Sequence, residues 1–161
     1  MCGAAGSGKS TYIESHFKPN EDYVISRDAI RFSLIKDGDE YFSQEDKVFD
    51  TFIQYIQEAI DDENIPKNIY CDATHLTEAS RKKVLNRLNL ENVENITVIV
   101  LRPDLKEVLA RNERRKGLYR KYVPRSVVKK MYFSFERPEY DKDRNFDVLY
   151  VEVPESWKKF G

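Results

Sequence analysis

The chain has 161 residues, 40% aliphatic or aromatic and 34% charged, with a formal net charge of −1. That length suits one domain with one sizeable core, and the composition excludes a disordered or collagen-like chain. No apolar run approaches the ~18 residues needed to span a bilayer, no signal-peptide pattern opens the chain, and Cys2 and Cys71 form no disulfide framework. No membrane association is therefore expected, and a reducing cytoplasm is, with both thiols buried and inert.

The first motif comes almost at once. Gly3-Ala4-Ala5-Gly6-Ser7-Gly8-Lys9-Ser10-Thr11 matches the phosphate-binding loop pattern GxxxxGK[ST]. Glycines let several backbone N–H groups approach one triphosphate. Lys9 supplies a charge for the β and γ phosphates, and the Ser10 hydroxyl is a ligand for Mg²⁺. A helix opening at Lys9 aims its positive end at the same anion. Such a loop follows a central strand, yet only Met1 and Cys2 precede it. The expectation is that the natural chain carries several more residues upstream, which intact mass would check.

A helix is predicted over residues 9–16, broken by Lys18-Pro19-Asn20. Residues 23–25 read as a strand. Ser26 caps a helix that carries Asp28 and Arg31. After the turn Asp37-Gly38-Asp39, Ser43 is expected to start a long amphipathic helix, with Asp46 completing an approximate capping box. Val48, Phe49, Phe52, Ile53, Ile56, Ala59 and Ile60 recur at helical spacing and read as core. Residues 69–71 form a strand ending in Asp72. Thr77 caps a helix to about residue 88. Residues 96–101 have the continuous apolar run of a buried parallel strand. Asp104 and Glu107 suggest a capping box for a helix through about Arg114. A basic loop with Gly117 follows, Pro124 opens a helix to about Phe135, and residues 146–153 form a last strand.

Strands alternating with helices mean an α/β fold: a parallel sheet wrapped on both faces, three layers in all. Ligands of such sheets sit at the carboxyl ends of the strands, which puts the loop, Asp28, Asp72 and Arg102 on one rim. Charge is uneven. Residues 36–63 hold ten acids against two lysines, and residues 102–130 hold eleven basic residues against three acids. The basic stretch suits the phosphates of a nucleotide or nucleic acid, or is an ion-paired surface.

Phosphoryl transfer needs in-line positioning, charge neutralisation and an activated nucleophile. Asp28, just past a strand on the rim, is a candidate general base, or an aspartate complementing its helix dipole. Arg31 lies one turn on; it suits an acceptor that bears its own phosphate, or pairs with Asp28. Asp72 fits a carboxylate holding Mg²⁺ through water, or an ordinary strand-end aspartate. His75 reads as structural. The run from Arg111 to Gly117 resembles a mobile lid. Arg115 is the preferred lid arginine, Arg114 its substitute, and Arg111 either serves the nucleotide or ends the helix.

The segments GAAGSGKST, ISRDAIR, CDATHLTEASRKK, ARNERRKG and YVPRSVVKKMYFSFERP resemble, in order and spacing, the kinase domains of the bacteriophage 5′-polynucleotide kinase family and related modules of bacterial RNA-repair enzymes. The likeness covers roughly residues 1–140. It implies a single P-loop kinase domain over residues 1–161 with a basic lid near 111–122. It also implies transfer of the γ-phosphate of ATP or another NTP to the 5′-hydroxyl end of DNA or RNA, with Mg²⁺. In that family's pattern Asp28 is the general base and Arg31 contacts the acceptor's 3′-side phosphate. Lys9 and Ser10 hold the phosphates and metal, Arg115 sits on the donor phosphates, and Asp72 lies near metal and acceptor. His75 stands where relatives often have asparagine, and the lid is longer than in some of them. Two other classes are open: a small-molecule or toxin-type kinase, and a nucleotide-switch or motor ATPase. Against the last, Asp72 is followed by Ala73, not the glutamate that activates water in many motor ATPases.

Overall fold

The computed structural model describes residues 1–64, 68–117, 122–139 and 146–152. The order is α1 (Lys9–His16), β1 (Asp22–Ser26), α2 (Arg27–Leu34), α3 (Glu45–Asp61), β2 (Asn68–Asp72), α4 (Glu78–Leu85), β3 (Thr97–Val100), α5 (Leu105–Arg114), α6 (Arg125–Phe133) and β4 (Asp147–Tyr150). The strands pair in parallel, β1 with β2 and β3 with β4. Met1–Gly3 joins the two pairs. Met1 donates its amino group to the Cys71 carbonyl at 3.1 Å and Gly3 N–H donates to Thr74 at 3.0 Å. On the other side Cys2 N–H donates to Ile99 at 2.7 Å and Leu101 N–H to Cys2 at 2.9 Å. The first three residues thus lie in the middle of the sheet, where the loop that follows emerges at the carboxyl edge.

Both faces of the sheet are covered, and the alternation along β2 shows it. Ile69 and Cys71 pack against the cluster built by α2, α3 and α4 around Phe52, Val48 and Ile56. Tyr70, between them, packs instead with Tyr12, Ile13 and Leu101 on the α1 side. Every helical-spacing residue predicted as core along α3 is buried, apart from Ile60, which packs against the same cluster half-covered. A third cluster joins α5 and α6 through Val108, Leu109 and Val128, with Ala4 of the loop among them. Toward the amino ends of β2 and β3 the two strand pairs part, leaving a cleft of about 930 Å³ lined by Ile69, Tyr70, Thr97, Val98 and Met1. No helix among the described residues is long and apolar enough to cross a membrane.

Several ends differ from expectation for local reasons. The long helix starts at Glu45 behind Gln44, with no side-chain cap from Ser43 or Asp46. Glu45 is drawn instead to Arg27 and Arg31 of α2. Asp104 is the N-cap of α5 but makes no capping bond, and Glu107 pairs forward with Arg111. The Thr77 cap forms in full, with Ser80 completing the box. α4 stops at Leu85 and α6 at Phe133, each short of expectation. Val153 and residues 118–121 of the predicted lid lie outside the described residues. Cys2 is buried, and burial raises its thiol pKa and pushes that of Cys71 to about 11, so both are free, protonated thiols.

Candidate nucleotide and acceptor site

The loop predicted to bind phosphate leaves the sheet between β2 and β3 and turns into α1. Gly6 has φ of 85°, and a Cβ there would stand 2.9 Å from the Val108 carbonyl of α5. Gly3 is needed for closeness, since a Cβ would meet Ser7 Oγ at 2.4 Å and the Leu101 carbonyl at 2.6 Å. Ala4 and Ala5 pack on the α5–α6 cluster, Gly8 is the N-cap of α1, and Ser10 and Thr11 lie in its first turn. Lys9 donates to the carbonyls of Gly3 at 2.9 Å and Ala4 at 3.0 Å, so its ammonium is held over the loop. Burial lowers its pKa, and the charges of Asp72 and Asp28 oppose that shift. The Ser7 hydroxyl is buried without a hydrogen-bond partner.

Asp28 and Arg31 share one face of α2, as their spacing predicts. The Asp28 side chain is 63% exposed, while Arg31 is 5% exposed. All three guanidinium nitrogens of Arg31 are engaged. Nε donates to Glu45 at 3.1 Å and Nη2 to both Glu45 oxygens at 2.9 and 3.0 Å. Nη1 donates to Asp28 and, at 3.1 Å, to the Tyr41 hydroxyl. That hydroxyl donates onward to Asp28 at 2.9 Å. Burial and the Asp28 charge raise the Tyr41 pKa, so the phenol keeps its proton and stays a donor. The Tyr41 ring covers the guanidinium with its centroid 4.6 Å away. Burial opposes the charged form of Arg31, but the Glu45 hydrogen bonds together with the electrostatic pull of Tyr41, Glu45 and Asp28 outweigh it, and its pKa is raised. The outcome is an outward-facing carboxylate held on its inner side by two donors.

Asp72 ends β2 in register with Ser26, which brings it beside the start of α2. It hydrogen-bonds Ser10, and burial raises its pKa while Lys9 pulls it back. Among the described residues no cluster of three or more His, Cys, Asp or Glu is placed to hold a metal alone. Ser10 and Asp72 nevertheless fit Mg²⁺, which keeps several waters and takes its other ligands from substrate phosphates. Arg115 caps α5 and lies within electrostatic reach of Asp28, Arg111 and Asp72, though burial lowers its pKa. Arg111 is 1% exposed, bonded to Glu107 at 2.9 Å, and its Nη2 is buried without a partner. Arg114 is exposed on the last turn of α5. The structure thus draws Lys9, Ser10, Asp28, Asp72 and Arg115 together from four separate segments.

His75 is structural in its surroundings. Its Nδ1 donates to the Met1 carbonyl at 2.9 Å, its Nε2 is buried without a partner, and burial lowers its pKa to about 3. Arg102 reaches the rim but is held between the rings of Tyr132 and Phe135 at 4.5 and 4.9 Å. Sequence reasoning missed Tyr41 and Glu45 as partners of the Asp28–Arg31 pair. Neither lies at helical spacing from it, since the turn between α2 and α3 intervenes. The one signal was a carboxylate at the first position of α3, passed over in favour of Ser43 and Asp46 as the helix start. It also missed Asn112, which is fully buried and bonds both backbone groups of Val123 at 2.6 and 3.1 Å, tying the segment before α6 to α5.

No curated protein matches the chain. Among solved structures, the chain is similar to Kti12 of Chaetomium thermophilum, crystallised in complex with ADP-AlF3. The TM-score is 0.59 at 16% identity, covering 99% of this chain and 92% of that one. At that identity the likeness speaks for the fold alone, an α/β P-loop fold with parallel strands alternating with helices. The family model described as AAA domain matches residues 1–138. With that match over most of its length, and a phosphate-binding loop emerging from the centre of a parallel sheet, the chain belongs to the AAA domain family of P-loop nucleotide-binding proteins.

Proposed function

We propose that this nucleotide-binding domain is a polynucleotide 5′-hydroxyl kinase, transferring the γ-phosphate of ATP or another NTP to the 5′ end of DNA or RNA. The observation that carries the reading is the exposed Asp28 carboxylate, held by Arg31 and Tyr41 and facing the charges of Lys9 and Arg115. A switch or motor ATPase has no need of such a carboxylate opposite its loop. A kinase needs one to take the proton of an attacking hydroxyl. Lys9 and the loop N–H groups hold the donor phosphates, Arg115 stabilises charge on the transferring group, and Arg111, paired with Glu107, adds positive charge on the nucleotide side. Arg114, on the exposed last turn of α5, is a second nucleotide-side cation. Ser10 and Asp72 would hold Mg²⁺, which neutralises phosphate charge when bound. Arg31 orients the base, and its Nη1, nearest Asp28, is the edge from which it would also meet an acceptor phosphate. Ala73, 8% exposed, offers no carboxylate to activate water after Asp72. The resemblance to 5′-polynucleotide kinases through residues 1–140 supplies the acceptor class.

The test offers labelled ATP with a 5′-hydroxyl oligonucleotide, a nucleoside monophosphate, or no acceptor. Label on the oligonucleotide end is expected. Label on the monophosphate alone would move the reading to a small-molecule kinase. Hydrolysis independent of any acceptor would favour an ATPase, the second reading, which membership of the AAA domain family supports.

A further inference from the structure

We propose that Phe42 is a stacking shelf for the terminal base of the acceptor, an inference that rests on Asp28 being the base that accepts the acceptor's proton. Phe42 is 52% exposed, although it sits beside a buried ion cluster. Its ring meets Tyr41 edge-on at 4.7 Å and lies 5.5 Å from the Arg31 guanidinium. Tyr41 and Arg31 are the two residues that hold Asp28. A hydroxyl presented to Asp28 therefore has an open aromatic face within one nucleoside's length.

Charge decides which part of an acceptor lies there. Around Phe42 in the chain the exposed charges are four acids, Asp37, Asp39, Glu40 and Asp46, against Lys36 and Lys47, and Arg27 and Arg31 nearby are paired with Glu45 and Asp28. A phosphate backbone is repelled from such a face; an uncharged base is not. The phosphate lies instead on the other side of Asp28, toward the Arg31 Nη1 edge and Arg115. Base–aromatic stacking is tolerant of sequence, so Phe42 would favour a nucleic-acid end over a sugar without selecting the base.

The experiment compares the full chain with Phe42→Ala and Phe42→Trp on two 5′-hydroxyl oligonucleotides, one with a normal terminal nucleotide and one with an abasic residue at that position. For the wild type, acceptor KM is expected to rise about tenfold on the abasic end. Phe42→Ala should raise KM about tenfold on the normal end, leave the ATP KM unchanged, and erase the difference between the two ends. Phe42→Trp should restore it. Equal effects of Phe42→Ala on both ends, or no abasic penalty in the wild type, overturn the shelf and leave the kinase reading standing. Phosphorylation of neither oligonucleotide by the wild type overturns both. A thermal melt of each variant shows that an exposed ring was removed without unfolding.

Discussion

Glu45 grips Arg31 through two of its nitrogens, Nε at 3.1 Å and Nη2 at 2.9 Å, across the turn that separates their helices. Removing one partner of a buried pair leaves a charge uncompensated, which costs more than the pair contributes. Glu45 is partly exposed, so solvent softens the loss. Glu45→Gln should destabilise by about 2 kcal/mol and lower Tm by roughly 5 °C, read by thermal or urea unfolding. It should also lower kcat, because Arg31 is then free to leave Asp28. Unchanged stability would mean that water already screens the pair.

The Tyr41 hydroxyl donates to Asp28 and accepts from Arg31 Nη1, so Tyr41→Phe removes those two bonds and leaves the ring. The ring stays over Arg31 and the fold is kept. The expected result is a fall in kcat of about tenfold with acceptor KM nearly unchanged, the size of the lost hydrogen bond to the Asp28 carboxylate. A change in KM alone would place Tyr41 in acceptor binding, not in orienting the base.

Asp28 and Lys9 should separate chemistry from binding. Asp28→Asn should lower transfer by about 10²–10⁴-fold, the usual worth of a general base, and leave ATP affinity within a few-fold. Lys9→Ala should weaken ATP binding itself, measured by nucleotide titration. Near-normal transfer by Asp28→Asn would remove it as the base.

His75 ties stability to acid. Burial holds its folded pKa at about 3 against 6.5 when unfolded, with the Met1 amino group, Arg27 and Lys9 adding to the effect and the Met1 carbonyl bond opposing it. The unfolded chain therefore binds the extra proton between those values. The stability conferred by the neutral ring is full above about pH 6.5 and falls as pH drops toward 3, by on the order of 4 kcal/mol. His75→Asn keeps a donor for the Met1 carbonyl and has nothing to titrate. Its urea-unfolding free energy should lose less than that of the wild type between pH 6.5 and 4. Parallel curves would assign the acid sensitivity elsewhere.

The cleft between β2 and β3 yields a prediction about the sheet. Met1–Gly3 pairs with both sides, and its direction is parallel to both. A short extended run of Val and Ile fused to Met1 would continue along the edges at Ile69–Tyr70 and Thr97–Val98 and bury apolar surface there. Tm should rise by several degrees, and the same fusion with proline at alternate positions should not raise it. Equal Tm for both fusions would show that the cleft does not take a strand.

The loop from Gly3 to Thr11 was legible in the sequence because backbone N–H binding of phosphate demands glycines at fixed spacing. The strand–helix alternation was legible too, since each element carries its own period. The Asp28–Arg31 pair could be read because one helical turn brings them onto the same face. What only the tertiary structure decided was the company these residues keep. The turn between α2 and α3 sets Tyr41 and Glu45 against Arg31, and no local period records a contact across fourteen residues. Asp104 and Glu107 read as a capping box, yet Glu107 pairs with Arg111, because that guanidinium is buried and needs a charge. Asp28, Asp72 and Lys9 face one another because parallel strands end on one rim. Local sequence sets the conformation of each piece; long-range packing sets which charges meet.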